Sequence, residues 1–162
     1  MKKFILSFLL ICVLILACGC DPGSYYFDDE SLTEQVKRVE LIDYENDNPI
    51  MIDVTDDTEL IFERDKMKIL EVLDEEKIDE FLKDLSVIIF HLINQSAESP
   101  VGRGIRLVFS DEGYIVISCT KVGRRGYSFV AEFDKNDEFI QHIADVCDKP
   151  SLDRLINKYF TV

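Results

Sequence analysis

The positions of the cysteines bear most directly on the chemistry of this chain. The 162 residues contain five cysteines, and a thiol can be alkylated, oxidised to a disulfide or bound to a metal. Cys12, Cys18 and Cys20 lie in or beside an apolar N-terminal segment, whereas Cys119 and Cys147 lie far from it. No Cys-x-x-Cys pair or zinc-type spacing occurs, so we predict no metal site and no cofactor.

The N-terminal segment has the pattern of an export signal. Lys2 and Lys3 precede an uncharged run from Phe4 to Leu16, and the small residue Ala17 comes directly before Cys18. The uncharged run is shorter than the roughly 20 residues that a membrane-spanning helix needs. We therefore predict a signal peptide over residues 1–17. An uncleaved anchor, and ordinary cleavage that leaves the cysteine unmodified, are the alternatives.

The residues Ile15-Leu16-Ala17-Cys18 resemble the lipobox of bacterial lipoproteins. In that family an aliphatic residue at position −3 and a small residue at −1 precede the modified cysteine. The resemblance implies a diacylglycerol thioether on the sulfur of Cys18, cleavage before Cys18 and, in many members, an acyl chain on the new amine. A second register would place the lipid on Cys20. The implied location is the extracytoplasmic face of the bacterial cell membrane.

The charge of the mature chain excludes some partners. Removal of 17 of the 162 residues leaves 145, enough for one domain with a real core. The leader carries two lysines and no acids, so the net charge of −14 becomes −16. This charge repels phosphate backbones and anionic headgroups. We predict no nucleic-acid binding, and a lipid rather than charge as the membrane attachment.

One stretch of the chain is basic. It contains two closely spaced arginines before a predicted hairpin and three cations at the next turn, namely Arg103, Arg106, Lys121, Arg124 and Arg125. Internal pairing with the acidic remainder is the simplest interpretation. The alternative is a docking surface for an acidic envelope protein or for the phosphates of a wall polymer.

The segment after the cysteine is predicted to be a tether over residues 18–34. Pro22, Gly23 and Ser24 break regular structure, and the acids that follow stay solvated. Three aromatic residues at 25–27 are unusual in a free linker, so we expect them to dock on the body or to begin its first strand. Binding a partner is the alternative. A single domain is predicted over 35–162.

Apolar spacing predicts the architecture of this domain. Ile78, Phe81, Leu82 and Leu85 fall on one face of a helix that Asp74 would cap. Alternation over 105–109, 115–119 and 127–133 predicts a three-stranded meander whose first turn ends at a left-handed glycine, and two helices are predicted after it, over 139–147 and after a break at 150. The prediction is an α+β domain: an antiparallel sheet of about five to six strands with two to three helices on one face.

The two cysteines of the domain are a candidate disulfide. If the helix that ends at Cys147 covers the meander, its sulfur could reach that of Cys119, and an extracytoplasmic location permits the bond. Two buried thiols that act as small apolar groups are the alternative.

Residues for catalysis are few. His91 and His142 are interpreted as a core-edge and a surface residue, and no hydrolase, metalloprotease or nucleotide-binding motif occurs. Asp43, Asp47 and Asp53 could form a loose ion site, but the spacing does not match an EF-hand, and a solvated turn is the simpler interpretation.

The sequence therefore predicts a non-enzymatic, membrane-anchored envelope lipoprotein. Its small acidic domain, monomeric in this interpretation, would bind or shield an envelope protein or polymer. The alternative is an extracytoplasmic enzyme, such as a hydrolase that uses a carboxylate pair. The stretches VELIDYEN, ILEVLDEEKIDEFLKDL and LINKYF also resemble uncharacterised lipoproteins of Gram-positive bacteria, which implies no activity.

Overall fold

An eight-stranded antiparallel sheet is the centre of the structure. A computed structural model describes residues 24–44, 51–52, 67–91, 97–98, 102–119, 127–147 and 149–161. The strands of this sheet are β1 (Ser24–Tyr25), β2 (Val36–Tyr44), β4 (Met67–Val72), β5 (Phe90–His91), β7 (Gly102–Phe109), β8 (Tyr114–Cys119), β9 (Tyr127–Phe133) and β10 (Phe139–Cys147), and β3 (Met51–Ile52) and β6 (Ala97–Glu98) are paired separately. The order across the sheet is β1-β5-β10-β9-β8-β7-β2-β4, in which six strands have six or more residues and the two at one edge have two each. This confirms the predicted α+β class.

Three helices pack against one face of the sheet. They are α1 (Asp29–Gln35), α2 (Ile78–Ser86), which follows a 3-10 turn at Glu75–Lys77, and α3 (Lys149–Tyr159). Residues from all three helices share a core with alternate strand residues such as Val39, Leu107 and Ile117. None of these three helices is long and apolar enough to cross a membrane.

The sheet curls around this helical layer. Residues 25–36 connect β1 to β2, which are six strand intervals apart, or about 29 Å across a flat sheet. That connection contains the seven residues of α1 and few extended ones, so it reaches about 25 Å. Because the connection is shorter than the flat distance, the sheet must bend towards the helices.

The opposite face of the sheet has its own apolar cluster. Ile42, Val108, Val116, Ala131 and Phe133 are almost fully buried there. Among the described residues, the members of this cluster come only from strands. Glu40 and Ser118 are the buried polar residues of the described chain, and the strand register places both on this face. Polar chemistry inside the described part of the fold is therefore concentrated on this face.

The packed body begins before the predicted boundary at residue 35. Ser24 and Tyr25 pair with β5, Phe27 is 2% exposed and meets the ring of Phe90 edge to face at 5.2 Å, and Leu32 of α1 is buried. Phe27 thus docks on the body and Tyr25 belongs to the first strand, as expected, whereas Tyr26 is 53% exposed. At least residues 24–34 of the predicted tether belong to the domain, because their apolar side chains complete the core.

Three local predictions were wrong. Residues 139–147 form the strand β10 rather than a helix, because they pair with β9 along most of their length. In the turn before β8, Glu112 (φ 71°) takes the left-handed position that was assigned to Gly113. Pro150 lies in the first turn of α3 rather than before it, where a missing N–H costs no helical hydrogen bond.

Candidate functional site

Several of the predicted site residues lie outside the described part of the chain. These are the lipobox with Cys18 and Cys20, the cations Lys121, Arg124 and Arg125, and the acids Asp47 and Asp53. Asp43 lies on β2, where its register partner is Arg103 of β7. His91 is half-buried on β5, and His142 is described only by its backbone position on β10. The predicted basic surface is therefore represented by Arg103 and Arg106.

The backbone register does not support the predicted disulfide. Cys119 ends β8 and pairs with Ser128, whereas Cys147 ends β10 and pairs with Phe90. Strand β9 lies between β8 and β10, so the two cysteines are separated by about 10 Å of sheet. A disulfide requires Cα atoms within about 7 Å. The prediction depended on a helix over 139–147 that would cover the meander, and these residues form the strand β10 instead.

The structure brings together a charge cluster that the sequence did not indicate. Arg106 Nε donates to Glu40 Oε2 at 2.6 Å, and Arg38 Nε donates to Glu40 Oε1 at 2.6 Å. The Glu40 side chain is 2% exposed, that of Arg106 11% and that of Arg38 36%. Glu40 is thus a buried carboxylate with an arginine on each oxygen, and the triad carries a net positive charge.

Aromatic rings extend this cluster across the sheet. The guanidinium carbon of Arg106 lies 5.2 Å from the centre of the Tyr114 ring, within the range of a cation–π contact. The Tyr114 ring stacks on Phe133 at 5.2 Å, and its hydroxyl donates to Asp137 Oδ1 at 2.9 Å. The triad and these rings join β2, β7, β8, β9 and the turn before β10 into one connected network.

The hydrogen bonds of this network indicate a structural role for Glu40. Both oxygens of Glu40 accept hydrogen bonds from cations that do not release protons at physiological pH, so this carboxylate is poorly placed to remove a proton from a substrate. Arg106 also belonged to the predicted basic surface. Its contacts agree with the simpler interpretation of that surface, internal pairing with an acid.

A second polar cluster joins α2 to α3. Lys158 Nζ donates to Asp84 Oδ2 at 2.7 Å and to Glu80 Oε1 at 3.0 Å, and the Tyr159 hydroxyl donates to Asp84 Oδ2 at 2.8 Å. The hydrogen bonds that Asp84 accepts, first from Lys158 and then from Tyr159, lower the pKa of Asp84. A shallow groove of about 240 Å³ lies beside the cluster, between the two helices. The cluster holds α3 on α2 and is largely open to water.

The carboxyl groups of the described chain whose pKa is clearly shifted are not of the kind that forms an acid–base pair in a hydrolase. Such a pair needs one carboxyl whose pKa is raised by burial or by a second acid. The pKa of Asp84, of Glu112 and of Asp134 is instead lowered, by Lys158, by Lys37 and by backbone N–H donors respectively. Within the described ranges, no group of three or more His, Cys, Asp or Glu residues is arranged to bind a metal ion.

Exposed apolar side chains are concentrated at the β1 edge of the sheet. Tyr26 is 53% exposed, Val87 75%, Ile89 41% and Tyr25 37%. The antiparallel pair Tyr25–Phe90 places Tyr26 next to Ile89, and Val87 precedes them at the end of α2. We call these four residues the β1-edge patch. The run of three aromatic residues at 25–27, two of which are exposed, was the signal for this patch in the sequence.

Known proteins give no further indication of the chemistry. The chain matches no described protein family, no curated protein and no solved structure. A functional interpretation must therefore rest on the residues themselves.

Proposed function

We propose that this chain is a lipid-anchored envelope protein whose acidic domain binds or shields an envelope protein or polymer and catalyses no reaction. The observation that carries the proposal is the sequence Ile15-Leu16-Ala17-Cys18 at the end of a predicted export signal. A thioether-linked diacylglycerol on Cys18, together with an acyl chain on its amine, would hold the protein stably on the membrane, since each buried methylene contributes about 0.8 kcal/mol.

The packing of the domain supports a binding role. The buried carboxylate of the described chain, Glu40, has both oxygens engaged by arginines. Other acids, among them Glu30, Glu75 and Asp79, lie on the surface. An acidic surface attracts basic partners by long-range steering and repels anionic polymers. A partner with a basic surface therefore fits this domain best.

The hydrolase alternative has a defined requirement. It needs a pocket in which two carboxyl groups lie close together and one of them has a raised pKa. The described grooves are shallow, and that between α2 and α3 is lined by the paired Asp84 and Lys158. These observations favour the binding role.

Lipid attachment is tested on the mature protein. The full chain is produced in a bacterium that processes lipoproteins, and the mass of its N-terminal peptide is measured for the wild type, Cys18→Ser and Cys20→Ser. We expect lipid on Cys18 in the wild type and in Cys20→Ser, and none in Cys18→Ser. An unmodified Cys18 in the wild type would contradict the proposal, and lipid on Cys20 would move the register.

The binding role is tested by capture. The tethered protein serves as bait in intact envelopes, with Cys18→Ser as the control that lacks the anchor. We expect a basic envelope protein or polymer that is retained at low salt and released at high salt, because exposed charges are screened. Hydrolysis of an envelope polymer by the purified domain would instead support the enzyme alternative.

A further inference from the structure

We propose that the β1-edge patch, formed by Tyr25, Tyr26, Val87 and Ile89, rests on the surface of the lipid bilayer to which Cys18 attaches the chain. The inference depends on the proposed lipidation and adds an orientation to it. The domain would stand on its β1 edge and present the rest of its surface to the envelope.

The exposed apolar side chains of the described residues are most numerous at the β1 edge. Seven large apolar side chains of the described residues are substantially exposed, and four of them form the β1-edge patch. The others lie at separate places, with Ile69 and Val72 on β4 at the opposite edge of the sheet and Ile140 at the start of β10. Apolar groups that cluster at one exposed place mark a contact surface, whereas scattered ones need no explanation.

The short chain between Cys18 and β1 keeps the β1 edge close to the proposed lipid anchor. Six residue steps separate Cys18 from Ser24, the first residue of β1. A chain of this length spans at most about 21 Å when fully extended, so the β1 edge is the part of the sheet closest along the chain to the lipid. The anchor raises the local concentration of the patch at the bilayer, and a weak contact is then populated.

The side chains suit the membrane–water boundary. Tyrosine has an apolar ring and a polar hydroxyl and is enriched at this boundary. A tyrosine phenol is uncharged at physiological pH, and partial burial and the charge of Glu132 raise the pKa of Tyr25 further. Ile89, which the strand register places opposite Tyr26, and Val87, two residues before it, add exposed apolar area at this edge. The patch can therefore lie among headgroups with its apolar parts directed towards the acyl chains.

Charge limits the depth of the contact and opposes a different occupant. The exposed acids Asp28 and Glu30 follow the patch along the chain, so anionic headgroups weaken the contact while zwitterionic ones permit it. A second copy of the chain would bring two bodies of net charge −16 together, which opposes self-association. The bilayer is therefore the occupant that the observations favour.

The absence of tryptophan from the sequence permits a direct test. The lipidated full chain with Tyr26→Trp is reconstituted into phosphatidylcholine vesicles, with and without lipids brominated near the top of the acyl chains. The matched control is Val72→Trp, which is 50% exposed on the opposite edge strand. We expect a shift of emission to shorter wavelength and quenching by brominated lipid for Tyr26→Trp, and neither for Val72→Trp. Both effects should decrease in phosphatidylglycerol vesicles.

Each other outcome has a definite meaning. Equal quenching of the two variants, or quenching of neither while mass spectrometry shows lipid on Cys18, overturns the orientation and leaves the proposed anchoring intact. A wavelength shift without quenching, together with a dimeric mass, assigns the patch to a second copy and also overturns it. If Cys18 carries no lipid, the anchoring itself fails. Ile89→Trp repeats the test if Tyr26→Trp does not fold.

Discussion

Glu40 and Arg106 lie directly opposite each other on β2 and β7, and the buried carboxylate accepts a hydrogen bond from the arginine Nε at 2.6 Å. The pair lies on the face of the sheet away from the helices, which it shares with Ile42 and Val108. Arg38 occupies the second carboxylate oxygen from the same strand. The charge of Glu40 is tolerated at 2% exposure because each oxygen has a cationic donor.

Removal of the negative charge should destabilise the domain. Glu40→Gln leaves two guanidinium groups next to a neutral amide, and breaking a buried pair in this way costs about 3–5 kcal/mol. Chemical denaturation followed by circular dichroism measures the change. Glu112→Gln is the control, since Glu112 pairs with Lys37 at an exposed site and should have little effect on stability. Similar effects of the two substitutions would contradict the structural role of the triad.

The sequence could not have revealed this cluster. Strand alternation assigns Arg38 and Glu40 to the face opposite Val39 and Leu41, and a charged face is ordinarily interpreted as solvated. The burial of Glu40 depends on Arg106, which is 66 residues away in the chain. Only the order of the strands brings the two together.

Stability should depend on pH through Asp84. The hydrogen bonds from Lys158 and Tyr159 lower its pKa from the ordinary 3.8. A carboxyl whose pKa is lowered by folding contributes stability that is present above the unfolded pKa and is lost as the pH falls through the folded pKa. Asp84→Asn should therefore lose less stability than the wild type when the pH decreases from neutral to acidic values below 3.8.

A second variant distinguishes the contribution of the Asp84–Lys158 pair from the effect of low pH on other groups. Lys158→Gln removes the strongest cause of the lowered pKa and should flatten the same part of the pH profile. Thermal unfolding at a series of pH values provides the measurement. A profile of either variant that stays parallel to that of the wild type would show that the Asp84 cluster does not couple folding to protonation.

The spacing of apolar residues predicted correctly the helices and strands that pack against segments nearby in the sequence. The stripe Ile78, Phe81, Leu82 and Leu85 is buried on α2 as expected, and β7, β8 and β9 form the expected antiparallel meander, in which the turn at 110–113 joins β7 to β8. Residues 139–147 have apolar side chains that also fit helical spacing, and the sequence could not decide between the two forms. Their long-range pairing with β9 and β5 selected the strand, because such pairing overrides local propensity.

Truncation should locate the true start of the domain. A chain that begins at residue 24 keeps Phe27 and Leu32 in the core and should unfold cooperatively. A chain that begins at residue 35 loses α1 and both of these side chains. Since truncation of a buried phenylalanine alone costs about 3–5 kcal/mol, the shorter chain should be greatly destabilised. Phe27→Ala in the longer chain serves as the intermediate case, and denaturant midpoints rank the three. Equal midpoints would restore the boundary at residue 35.

The thiols of the domain should be free. Cys119 and Cys147 end strands that are separated by β9, at a distance of about 10 Å across the sheet, which is too far for a disulfide without movement of the backbone. The mature protein is purified from the envelope, denatured without reductant and alkylated, and mass spectrometry of the peptides that contain Cys119 and Cys147 should find both thiols free. A second measurement compares the denaturant midpoint with and without reductant, and we expect no difference. Loss of both thiols together with a lower midpoint under reductant would show that β8 and β10 approach each other more closely than this register allows.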